Sequence, residues 1–148
     1  MVISCKRYRK IKRTAEECLN QFLTRNPLKI LKILNIPFGF IKLNGVDGFA
    51  MANQNGVPYV CISEKYKDDE YCSRIIAAHE LGHILLHISN GLENGPNLFD
   101  EDSTSFVEEY EADVFLMELM PRIQPYGIDY TELSPKELRG YIHSQLND

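Results

Sequence analysis

The sequence lacks the features that mark membrane proteins and cysteine-based metal proteins. No apolar stretch among its 148 residues approaches the roughly 20 residues that a bilayer-spanning helix needs. The basic N-terminus is followed by mixed polar residues, so no secretory signal is predicted. The four cysteines show no CxxC spacing, which is typical of reduced thiols and argues against a cysteine zinc site. We therefore expect a cytoplasmic protein.

Positive charge is concentrated at the N-terminus. Six of the eight residues from Lys6 to Arg13 are Lys or Arg, whereas the whole chain carries a net charge of −5. A basic arm can contact nucleic acid or an acidic protein surface, but such runs are more often solvated tails. The acidic remainder argues against DNA binding as the main activity. The pattern predicts a basic arm over residues 1–13 and a single domain over residues 14–148.

Capping residues, prolines and apolar spacing predict an α+β fold. The helices predicted from these signals cover residues 14–25, 27–34, 68–90, 105–120 and 134–146. Strands are predicted at 38–43, 48–52 and 57–63, and Asn55-Gly56 before the last one is typical of a tight hairpin. We expect a small antiparallel sheet of about three strands packed with several helices. Pro58 indicates that the last strand lies at an edge or starts late.

Residues 79–83 read His-Glu-Leu-Gly-His, the most informative pattern in the chain. Residues four apart on a helix point the same way, about 40° apart in azimuth, so His79 and His83 can bind one metal ion. Glu80 then lies beside the pair, where its carboxylate reaches a water molecule on the metal without binding the metal itself. Two His ligands, a water and a general base are typical of zinc hydrolases.

A catalytic zinc usually takes a third protein ligand. The helix predicted at 105–120 carries two acids, Glu109 and Asp113, on its apolar face, where a carboxylate is costly unless it is paired or binds a metal. We predict Glu109 as the third ligand, since Glu108 and Glu111 fall on other faces. Asp113 is predicted to accept a hydrogen bond from His79, or else to lie exposed at the edge of the face. Three acids of the preceding segment are alternative ligands on a less rigid element: Glu93, Glu101 and Asp102.

The other two histidines are not predicted as ligands. His87 lies one further turn along the helix, away from an ion bound by His79 and His83, so we expect it to pack or to support a ligand. His143, on the last predicted helix, is a candidate donor to the transition state, although no sequence signal places it in the cleft.

Two runs of the sequence resemble the ImmA/IrrE metallopeptidases. The run at 79–87 is similar to the signature helix of that family, and the run Glu-Tyr-Glu-Ala-Asp at 109–113, with Met120-Pro121 after it, is similar to its second motif. Leu116 stands where many members have Ala. The resemblance implies a minimal zincin-like core and a gluzincin-like site with Glu109 as third ligand. It also implies a cytoplasmic protein of phages or mobile elements, often an anti-repressor that cleaves a helix-turn-helix repressor.

These patterns predict a zinc-dependent peptidase with one Zn²⁺ per chain and a protein substrate. Glu80 would act as the general base, and the strand near Val57 to Ile62 is a candidate edge for an extended peptide. The main alternative is a regulatory protein that sequesters a repressor without cleaving it and uses zinc as a structural or sensing ion. A zinc hydrolase with a non-peptide substrate is a third possibility, but no motif in the sequence supports it.

Overall fold

The structure is a computed structural model that describes residues 3–88 and 106–146. These residues form five helices and a three-stranded sheet. The elements in chain order are α1 (Cys5–Phe22), α2 (Pro27–Ile33), β1 (Phe38–Ile41), β2 (Gly48–Ala52), β3 (Pro58–Ser63), α3 (Glu70–His83), α4 (Phe106–Leu119) and α5 (Pro135–Leu146). The predicted α+β class is confirmed. Within the described residues, no helix is long and apolar enough to cross a bilayer.

Local capping signals set where the helices begin. Asn26 caps α2 and is followed by Pro27, and the side chain of Asp69 accepts a hydrogen bond from the backbone of Cys72 at the start of α3. Ser134 and Glu137 form the reciprocal bonds of a capping box at α5. Each such cap stabilises its helix by about 1 kcal/mol. The end predicted at residue 90 for the third helix and the start predicted at residue 105 for the fourth lie outside the described residues.

The basic segment is helical, contrary to the predicted helix start at residue 14. Ser4 caps α1 through a bond from the backbone of Arg7, so the helix begins at Cys5. Ile11, Ala15 and Cys18 form its buried stripe, and α1 packs against α4. The basic side chains surround this apolar stripe, which has helical spacing, so the basic segment forms part of α1. The division into arm and domain stays a prediction.

The sheet is mixed, and this corrects the predicted antiparallel arrangement. Its strand order is β1-β3-β2, with β1 parallel and β2 antiparallel to β3. The hairpin between β2 and β3 is confirmed, with Gly56 at φ 77° closing a turn onto Asn53. β3 begins at Pro58, as that proline suggests, but it is the central strand. The candidate peptide-binding edge at 57–62 was therefore wrong.

The helices α3 and α4 pack against each other and form the centre of the core. Along α4, every residue from Tyr110 to Met117 is buried, including Glu111 and Asp113. On α3, every residue from Ile75 to His83 is buried. Beyond His83 the chain widens into a π-helical turn, Ile84–Ile88, an irregularity often found at functional sites. The predicted metal ligands thus lie between two helices of the core.

Candidate metal centre

The structure brings the three predicted metal ligands together. The rings of His79 and His83 are nearly perpendicular, with centroids 4.8 Å apart. Both present Nε2 to the carboxylate of Glu109 on α4, at 3.1 Å for His79 and 3.0 Å for His83. One ligand atom from each residue lies within 4.8 Å of the others. This His-His-Glu group can hold a metal ion, and α3 and α4 fix it from opposite sides.

Glu109 is charged in this setting despite being partly withdrawn from water. Burial by itself raises the pKa of its carboxyl, but the hydrogen bonds and charges of His79 and His83 outweigh this and bring the pKa well below its usual range. Its side chain is 40% exposed, so one side of the group faces solvent. A water molecule or a substrate can therefore approach the group from the side of Glu109.

Glu80 lies beside the ligands, buried on α3. Burial raises the pKa of its carboxyl, and the nearby His79 and His83 only partly oppose this. A raised pKa makes the Glu80 carboxylate a stronger proton acceptor than an exposed one, which suits a general base. The start of β2 packs closely against the same part of α3. A Cβ at Gly48 would lie 2.6 Å from Ile76 and 3.7 Å from Oε2 of Glu80. Glycine at this position thus lets the strand approach the site.

Asp113 makes the predicted contact with His79. Its Oδ1 accepts a hydrogen bond from Nδ1 of His79 at 2.7 Å and lies 3.2 Å from Nη2 of Arg139 on α5. Burial lowers the pKa of His79, but the charge and hydrogen bond of Asp113 outweigh burial and raise the pKa to about 10. Because Nδ1 donates to Asp113, the other ring nitrogen is the one that faces Glu109.

His83 is supported through a second imidazole. Its Nδ1 lies 3.0 Å from Nδ1 of His87 in the π-helical turn, and Nε2 of His87 lies 2.9 Å from Oε1 of Glu111. Arg7 on α1 completes the chain, with Nε 2.5 Å from Oε2 of Glu111 and Nη2 3.0 Å from Oε1. Burial lowers the pKa of His87 to about 4, the bond to Glu111 opposing only part of this change. The expectation that His87 packs on or supports a ligand agrees with this contact.

Sequence reasoning missed Glu111 and Arg7. Glu111 falls on a different helix face from Glu109, and Arg7 sits in the basic run, 104 residues away along the chain. The one signal available in the sequence was Glu111 itself, a further acid on the helix that carries Glu109 and Asp113. The alternative ligands Glu93, Glu101 and Asp102 lie outside the described residues, and His143 is exposed on α5.

The chemistry of the donors fits a metal cation. Asp113 holds one proton of His79 on Nδ1, so the proton through which Nε2 contacts Glu109 in the metal-free protein is the one that a metal ion would replace. Three carboxylates (Glu80, Glu109 and Asp113) gather here against one arginine, Arg139. Two imidazoles and a carboxylate are the ligand set of many catalytic zinc sites.

No family model matches the chain, and neither curated proteins nor solved structures gave a match. What the fold and the site establish is a group of two histidines and a glutamate that can hold a metal ion, with a buried carboxyl beside it.

Proposed function

We propose that the protein is a zinc-dependent metallopeptidase in which His79, His83 and Glu109 hold the ion. The observation that supports this best is the convergence of two Nε2 atoms and a carboxylate, with Glu80 next to the first histidine on the same helix. A site that only stores or senses a metal has no need of a further buried acid with a raised pKa beside its ligands.

A zinc ion held by these residues would lower the pKa of a water molecule and polarise a scissile carbonyl. Glu80 supplies the proton transfers: it accepts a proton from the attacking water and returns it to the leaving amine. Asp113 keeps His79 in one tautomer throughout. The packing of α3 on α4 keeps the ligands fixed, so the site needs little rearrangement on binding substrate.

We infer a protein substrate bound in extended form along β2. Within the described residues, β2 has a strand partner on one side only, and it starts next to Glu80. An extended peptide added to that side forms backbone hydrogen bonds with the sheet and passes beside the site. The resemblance to ImmA/IrrE metallopeptidases suggests a cytoplasmic anti-repressor whose substrate is a helix-turn-helix repressor of a phage or mobile element.

The test is Glu80→Gln, assayed with zinc content and peptide cleavage side by side. We expect the variant to keep its zinc, because Glu80 is not a ligand, and to lose cleavage of a quenched-fluorescent peptide library by at least about 100-fold, the usual contribution of a general base. Glu64→Gln, an exposed acid before α3, is the control that should retain full cleavage.

Cleavage by Glu80→Gln at the wild-type rate would remove Glu80 from the mechanism. The sequestration alternative gives a different result with a repressor substrate. In that case wild type and Glu80→Gln would both relieve repression, and no repressor fragments would appear on a gel.

A further inference from the structure

A chain of four side chains runs from the first helix of the protein to one of the metal-facing histidines. Arg7 on α1 contacts Glu111 on α4 through two nitrogens, Glu111 contacts His87, and His87 contacts His83. His87 and Glu111 play no part in the proposed reaction, and Arg7 comes from a segment whose charge suggested only surface contacts. The arrangement needs an explanation of its own.

The positions of the protons along this chain follow from its two ends. A carboxylate held by a bidentate arginine only accepts hydrogen bonds, so Nε2 of His87 must donate to Glu111. At the other end, a metal bound by His83 would take the lone pair of Nε2, so the remaining proton of His83 would lie on Nδ1 and be donated to His87. One tautomer of His87, protonated on Nε2 with its lone pair on Nδ1, satisfies both ends.

We propose that Arg7 and Glu111 are positioning residues that hold His87 in this tautomer and thereby present Nε2 of His83 to the metal. The part that concerns the metal rests on the proposed function. The part that concerns His87 does not, because the contacts of Glu111 with Arg7 and His87 exist in the protein chain itself.

Burial makes the arrangement specific. The side chains of Glu111 and His87 are only 6% and 11% exposed, so water is poorly placed to replace either partner. Without Glu111, none of the other three side chains keeps the proton of His87 on Nε2, and it can move to Nδ1. His83 would then have to accept on Nδ1 and carry its own proton on Nε2, where it blocks the metal.

The first measurement is zinc affinity by competition with a fluorescent chelator. Glu111→Leu removes the acceptor, and we expect about 10–100-fold weaker zinc binding, the range for lost outer partners of a ligating histidine. Glu111→Gln keeps a carbonyl oxygen for His87 and should lose less. Arg7→Met should fall between Glu111→Gln and wild type. The matched control is Arg74→Met, which breaks a surface ion pair of the same length with Glu70 and should bind zinc as wild type does.

The second measurement reads the tautomer directly, by long-range ¹H–¹⁵N correlation of the histidine rings in metal-free protein. The chain has four histidines, so single substitutions assign each ring. We expect His87 to carry its proton on Nε2 in wild type and in Glu111→Gln, and to lose that preference in Glu111→Leu.

These two measurements separate the inference from the proposed function. Zinc binding by wild type that is unchanged in Glu111→Leu overturns the inference and leaves the function intact. A proton on Nδ1 of His87 in wild type overturns it as well. Absence of zinc from wild type, with His87 protonated on Nε2 as expected, overturns the proposed function but keeps the role of Glu111 in fixing His87.

Discussion

The two metal-facing histidines are supported in different ways. His79 has a direct support, since Asp113 accepts its Nδ1 proton and Arg139 contacts the same oxygen. His83 has an indirect one, since a second histidine stands between it and the carboxylate of Glu111. Both carboxylates come from α4, two residues apart, and both end at an arginine on a terminal helix. Helices α1 and α5, which carry no predicted ligand, therefore take part in shaping the site.

The difference has a physical consequence for how each support fails. A carboxylate bonded directly to an imidazole fixes its tautomer by accepting the proton of one ring nitrogen. His87, which stands between His83 and Glu111, has two tautomers of its own. It accepts the Nδ1 proton of His83 only while Glu111 holds the proton of His87 on Nε2. The support of His83 therefore depends on more groups than that of His79.

The largest effect is expected from breaking the direct support with Asp113→Asn. The amide keeps an oxygen near His79 but loses the charge that pairs with His79 and Arg139. We expect zinc binding to weaken by about 10–100-fold and the free energy of unfolding to fall by about 2 kcal/mol. Chelator competition and urea unfolding measure the two effects. Asp68→Asn, an exposed acid before α3, should change neither, and an equal loss in that control would mean the effect is not specific to the site.

The next effect concerns how the stability of the metal-free protein depends on pH. The two supports contribute to this dependence with opposite signs. The pKa of His79 is raised from 6.5 to about 10, so its stabilising contribution is complete below pH 6.5 and is lost as pH rises through 10. The pKa of His87 is lowered from 6.5 to about 4, so its contribution is complete above pH 6.5 and is lost as pH falls through 4.

Urea unfolding of metal-free protein between pH 4 and 10 tests these signs. Asp113→Asn should flatten the decline on the alkaline side, and His87→Asn should flatten the one on the acid side. Asn44→Ala, at an exposed position between β1 and β2, serves as the control and should follow wild type. If either substitution acted on the opposite limb, the assignment of the two supports would be wrong.

The smallest effect should come from exchanging the arginines for lysine. Arg7 binds Glu111 through two nitrogens, whereas Arg139 contacts Asp113 through one. Lysine cannot reproduce a bidentate contact but can replace a single one. We expect Arg7→Lys to weaken zinc binding by a few-fold and Arg139→Lys to leave it nearly unchanged. Equal losses in the same chelator competition would show that the geometry of the two contacts does not matter.

Local signals account for what the sequence predicted correctly. Asp69, Ser134 and Asn26 cap helix starts through bonds within three residues. The four-residue spacing of His79 and His83 places both on one face. Glu109 and Asp113 could be singled out because an acid on an apolar face needs a partner.

What the sequence could not predict depends on contacts that are distant along the chain. The parallel pairing of β1 with β3 joins strands separated by all of β2. The burial of Glu111 depends on Arg7, whose helix begins at a serine cap that the surrounding positive charge concealed. The contacts of His87 with His83 and Glu111 depend on the π-helical turn after His83, which residue spacing does not predict.

The most direct test of the central claim is the zinc content of the purified protein by mass spectrometry, on wild type beside Glu109→Gln and Glu108→Gln. Glu109 is the proposed ligand, and its neighbour Glu108 is the matched control one residue away on the same helix. The account predicts close to one zinc per chain in wild type and in Glu108→Gln, with a clear reduction in Glu109→Gln. Wild type without zinc after reconstitution, or equal zinc in all three proteins, would contradict it.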